Sequence, residues 1–103
     1  MKKIFICSPL RGNVEENIKK AKEYCKMVAS YGKAPFAPHV FCTQFLDDNI
    51  IKERNLGIEI GMAFLEQCDE LWAFCKEGEE TEGMKYEIEY AKKLRIPLRY
   101  MKK

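Results

Sequence analysis

Histidine is nearly absent from this chain, and its cysteines are neither clustered nor even in number: one His and five Cys stand among 103 residues. Cys7, Cys25, Cys42, Cys68 and Cys75 are scattered without a Cys-x-x-Cys pair. Neither a disulfide framework nor a zinc site is expected from that spacing. No metal and no organic cofactor are implied. A thiol nucleophile at Cys7 would need a base, and His39 is the sole histidine. The plainer reading makes the cysteines small buried hydrophobes. Long apolar runs are lacking too. The first, Ile4-Phe5-Ile6-Cys7, stops at Pro9, too soon for a signal-peptide core or a membrane span. A cytoplasmic protein with no membrane partner is expected. Excess charge is missing as well: 18 basic against 16 acidic residues leave +2. With no basic block, a nucleic-acid polymer is not an expected partner.

What is present is ordinary globular material, 47% apolar and 33% charged. A chain of this length makes one domain, residues 1–103, with a core of little surplus that a partner subunit would support. Residues 2–7 form a continuous β-type run suited to a strand buried on both faces. Asn13 followed by Glu16 reads as an N-cap with its capping-box partner. The helix behind it puts Val14, Ile18, Ala21, Cys25 and Val28 on one face and ends at Gly32. Ala34–Ala37 is a short second strand stopped by Pro38, and 39–50 is irregular. A second helix runs from about Lys52 to Gln67. Within it Gly57 and Gly61, four apart, permit close approach of a ligand or of another backbone. Leu71–Cys75 is the third strand, 76–82 an acid-rich loop, and a helix follows from Gly83 or Met84 to about Leu94. Ile96–Met101 is the last strand, and Pro97 favours an edge position or the strand's first residues. Strands alternating with helices predict a single three-layer α/β/α domain. Its parallel sheet has about four strands in the flavodoxin/Rossmann-like manner.

In such a sheet ligands bind beyond the carboxyl ends of the strands. The first strand runs there into Ser8-Pro9-Leu10-Arg11-Gly12-Asn13, where Arg11 beside a helix start suits a phosphate or another anion. The third strand's loop leads into Thr81-Glu82-Gly83-Met84-Lys85-Tyr86-Glu87. Glu87, in the first turns of that helix, is a carboxylate that the helix dipole helps keep ionised, able to act as nucleophile or base. Thr81 and Gly83 offer a hydroxyl and a backbone N–H for a phosphate. Equally, Glu87 belongs to an acid-rich surface segment, and His39 reads as a buried, hydrogen-bonded imidazole. Asp47 and Asp48 are either a helix-start cluster or pocket acids.

Four segments carry a resemblance to a known family: Ile4 to Gly12, Pro38-His39-Val40, Leu65 to Asp69, and Thr81 to Glu87. Together, across nearly the whole chain, they resemble the nucleoside 2-deoxyribosyltransferase superfamily. Its short branch, the 2'-deoxynucleoside 5'-phosphate N-hydrolases, is especially similar, and small domains of the DUF4406 type more so. The resemblance implies that Glu87 attacks the anomeric carbon of a nucleoside or nucleoside 5'-monophosphate. Arg11, Gly12 and Ser8, with Thr81 and Gly83, would hold the phosphate or sugar. The acid that assists the leaving base is not given by the resemblance; Asp47 or Asp48, from the loop, is the candidate for it. Family members pair through helices, so a homodimer is implied. Two positions depart from the family: Phe5 stands where it has a tyrosine, and Gly61 falls near the place of its aspartate. They support the alternative, a catalytically impaired nucleotide-binding or sensor domain.

Overall fold

Alternation along the first strand sets out the layers of the molecule. The computed structural model describes residues 1–101. In it β1 (Lys3–Cys7) is fully buried from Ile4 to Cys7. Successive strand side chains point to opposite faces. Ile4 and Ile6 therefore pack with Tyr24, Val28, Trp72 and Phe74 on one face. Phe5 and Cys7 pack with Leu65, Leu71, Met84 and Ile88 on the other. Four apolar residues in succession need cover on both sides, which is what the helices supply.

Four parallel strands lie in the order β2-β1-β3-β4, with β2 at Ala34–Phe36, β3 at Glu70–Ala73 and β4 at Leu98–Tyr100. Helix α1 (Val14–Ser30) covers the Ile4/Ile6 face. Helices α3 (Ile51–Leu65) and α4 (Glu82–Lys93) cover the Phe5/Cys7 face. The chain leaves β1 in one direction to make β2, then returns across it to make β3 and β4. That reversal opens a crevice beyond the carboxyl ends of β1 and β3. Pro97 sits just ahead of the edge strand β4, as its missing N–H requires.

Three expectations are adjusted. Residues 38–44 are not irregular: α2 (Pro38–Phe41) runs into a 3-10 turn at Cys42–Gln44. Pro38 ends the strand but also starts this helix, because its fixed φ suits the first helical position. The strands are shorter than their apolar runs, although Phe74 N still bonds Cys7 O at 2.9 Å and Met101 N bonds Ala73 O at 2.8 Å. On α1, Tyr24 takes the buried place expected of Cys25, stacking on Phe74 with centroids 4.1 Å apart. Among the described residues no helix is long and apolar enough to cross a membrane.

Candidate active site at the carboxyl edge of the sheet

The loop after β1 is held from both sides. Gly12 has φ +102°, a conformation that side chains resist, and it turns the chain toward α1. Asn13 caps that helix by accepting from Glu16 N at 3.3 Å. Asn17 Nδ2 donates to the carbonyls of Leu10 (3.0 Å) and Arg11 (3.4 Å). From the opposite side His39 Nε2 meets the Ser8 carbonyl at 2.9 Å. A carbonyl only accepts, so His39 carries its proton on Nε2. Burial lowers the His39 pKa and keeps the ring neutral, against the opposing pull of Ser8 and Asp48.

Glu87 reaches a narrow hollow on the α3/α4 side of this loop. The hollow has about 60 Å³, and its polar walls include His39, Thr43, Asp48, Glu53 and Arg54. That is room for a few water molecules. Glu87 as a residue keeps some exposure, but its Oε1 is sealed from solvent and has no hydrogen-bond partner. Arg54 Nε, in the same hollow, is also sealed and unpartnered. Desolvation pushes the Glu87 pKa up from 4.5 to about 8, with the adjoining Cys7 thiol opposing it. Here burial overrides the helix dipole. The dipole contributes about 0.3–1 kcal/mol, whereas a rise of that size corresponds to up to about 5 kcal/mol. At neutral pH the carboxyl is mostly protonated. The same contact with Glu87, after burial, raises the Cys7 thiol well above its usual range, so Cys7 is not poised as a nucleophile.

The other expected residues fall into four groups. Asp48 lines the Glu87 hollow, and its Oδ2 lies 3.9 Å from Arg11 Nη1. Asp47 faces an outer groove with Val14 and Ile18. Its Oδ1 accepts from Asn49 N at 2.9 Å and its N–H donates to Glu53 at 2.7 Å, the bonds of a turn. Thr81 and Gly83 are exposed at the start of α4, where Thr81 Oγ1 accepts from Met84 N at 3.2 Å as the helix cap. Ser8 turns the opposite way from Cys7, as alternation demands, into a cleft of about 560 Å³ on the α1 side. Its Oγ is buried without a partner.

Arg54 in the Glu87 hollow, and Lys20 and Lys76, which line the α1-side cleft, were missed by sequence reasoning. Lys20 was detectable, three residues beyond Asn17 and so on the same face of α1. The glycine pair is a packing device. A Cβ on Gly61 would lie 3.5 Å from Pro38 Cβ, and one on Gly57 3.6 Å from Leu46 Cδ1. Phe5 is wholly buried with its ring 5.9 Å from that of Phe36. Among the described residues no group of three or more His, Cys, Asp and Glu is placed to hold a metal ion.

Residues 2–101 match the family described as domain of unknown function DUF7768, and the chain belongs to it. The DUF4406 label expected from the motifs is not the family that matches. No curated protein matches the sequence. Among solved structures, a 2-deoxyribosyltransferase from Bacillus psychrosaccharolyticus superposes with a TM-score of 0.77 at 15% identity. That match covers 97% of this chain and 72% of the other. A 2-deoxyribosyltransferase from Leishmania mexicana gives a TM-score of 0.65 at 19% identity, covering 99% of this chain and 65% of that one. At such identities the likeness is one of fold.

Proposed function

We propose that this protein is a cytoplasmic N-glycosidase or deoxyribosyltransferase-like enzyme acting on a nucleoside or nucleoside 5'-monophosphate, with Glu87 as nucleophile. The observation that carries the reading is the Glu87 carboxyl in a polar hollow at the sheet's carboxyl edge, with its Oε1 buried and unpartnered. It does so on a fold shared with 2-deoxyribosyltransferases. A Glu87 oxygen forms a bond to the anomeric carbon as the bond to the base breaks and the base leaves with the electron pair. Asp48 is the better placed of the two aspartates to assist that base, since it lines the hollow and Asp47 does not. Water or a second base then releases the sugar. Arg11, with Gly12, Thr81 and Gly83, is the candidate hold on a 5'-phosphate.

A second copy of the chain is part of this proposal. Phe41, Phe45, Leu56, Ile58 and Phe64 are exposed, and Phe41 packs edge-on to both Phe45 and Phe64 at 5.3 and 6.0 Å. Phe41, Phe45 and Phe64 thus form a contiguous exposed apolar surface, the mark of an interface. Ile58 also lines the Glu87 hollow, so a partner seated there would close its wall. The second reading, a binding or sensor domain without turnover, is favoured by Phe5, which has no hydroxyl to offer Glu87, and by Gly61, which is spent on Pro38.

Chromatography of free bases, released from a panel of nucleosides and 5'-monophosphates, separates the two. Release by the wild type and its loss in Glu87→Gln supports the enzyme. No release, with a nucleotide still raising Tm, supports the binding domain. Release that persists in Glu87→Gln removes Glu87 as nucleophile.

A further inference from the structure

We propose that the cleft on the α1 side of the Ser8 loop is a second small-molecule site, one that takes a phosphate monoester carried on an organic body. Size is the first argument. The cleft's volume of about 560 Å³ lies within the range of small-molecule sites, whereas the Glu87 hollow, at about 60 Å³, does not. Its charge is the second. Lys20 and Lys76 line it from α1 and from the loop after β3, and neither is in an ion pair among the described residues. Glu79 is its only acidic lining residue. Two ammonium groups against one carboxylate leave an excess positive charge for an anion.

The third argument is an unsatisfied group. Ser8 is 2% exposed, and its Oγ has no hydrogen-bond partner. A buried hydroxyl without a partner is uncommon in folded proteins, and a phosphate oxygen is an acceptor that would satisfy it. Pro9, Tyr24 and Phe74 add apolar walls beside Asn17 and Cys75, surface that suits a sugar or ring rather than a bare ion. The cleft is set apart from the Glu87 hollow by the loop itself: Ser8 and Pro9 line one, Leu10 the other. The proposal therefore stands whether or not Glu87 is a nucleophile.

The test is an amide-resolved NMR titration of the full chain with AMP, adenosine and inorganic phosphate. AMP is expected to saturate shifts at Ser8, Asn17, Lys20 and Lys76, and to bind at least tenfold more tightly than adenosine. Lys20→Met with Lys76→Met, both exposed positions that tolerate the change, should weaken AMP at this cleft tenfold or more. Ser8→Ala should weaken it several-fold, and Glu87→Gln should leave it unchanged. AMP shifts confined to the surroundings of Arg11, Asp48 and Glu87 would overturn the site. So would equal affinity for AMP and adenosine, equal affinity for AMP and inorganic phosphate, or indifference to the lysine pair.

Discussion

On one side of the Ser8–Gly12 loop, a hollow of about 60 Å³ has three carboxylic side chains on its walls, Glu87, Asp48 and Glu53, with one arginine. On the other side, a cleft of about 560 Å³ has two lysines and one glutamate. Adjacent residues of one strand end, Cys7 and Ser8, divide these surroundings between them. The contrast shows how little chain is needed to separate two chemistries. A turn of about 180° per residue sends neighbouring side chains to opposite faces. One hollow shields its acid from bulk solvent and raises its pKa; the other is wide enough for a whole nucleotide.

The sharpest way to break the comparison is at Glu87. Glu87→Gln should lower base release by on the order of 10³-fold or more, the loss expected when a nucleophile is removed. AMP binding in the other cleft should be unmoved, as NMR titration would show. If both are lost together, the two hollows act as one site.

Next in size is the pH dependence of folding. The Glu87 pKa is raised from 4.5 to about 8 in the folded state, so the native protein holds a proton that the unfolded chain gives up. Stability should therefore fall as pH rises from about 4.5 through 8, by up to about 5 kcal/mol. Urea unfolding at pH 5 and pH 8.5 reads this directly, and Glu87→Gln should flatten the slope. Base release should run the other way, increasing as pH rises through 8 and the carboxylate forms. A stability curve equally flat in the wild type would show that the carboxyl is solvated.

His39 joins the two sides, because it stands in the Glu87 hollow and holds the carbonyl of Ser8. Its lowered pKa means that the folded state resists protonation, so stability is lost as pH falls through the ordinary histidine range. His39→Ala should cost about 1–3 kcal/mol in urea unfolding by stranding that carbonyl. It should also broaden the amide signals of Ser8 and Pro9's neighbours. The smallest effect is expected from Ser8→Ala, which removes an unpartnered buried hydroxyl and should stabilise the free protein by about 1 kcal/mol. A loss of stability instead would show that the hydroxyl is already satisfied by water.

Much of this arrangement was legible in the sequence. The apolar run of β1 and the Asn13 cap have strong local signals and lie where their patterns put them, while the last helix starts at Glu82, just ahead of the expected Gly83 or Met84, because Thr81 caps it. Arg54 was not legible. Helix α3 carries Ile51, Leu56, Ile58, Ile60 and Phe64 around its circumference, so no periodicity marks the inward face. Asp47 and Asp48 differ only in which of them closes the turn, a matter of backbone geometry that residue type does not encode. The Glu87 pKa was misjudged because its direction depends on how completely the hollow excludes water, and that is a property of four elements meeting.

Pro35 has a consequence for assembly. In β2, Ala34 N donates inward to Lys2 O at 2.8 Å, so the next residue, Pro35, presents its nitrogen to the open edge of the sheet. That nitrogen has no hydrogen to give, and an incoming strand would find a gap in the ladder where it needs a donor. At the far edge, β4 is only three residues long and begins just after Pro97. Copies of this chain are thereby steered away from joining sheet to sheet. Any pairing is left to the helices, where the exposed aromatic side chains of α2 and α3 lie.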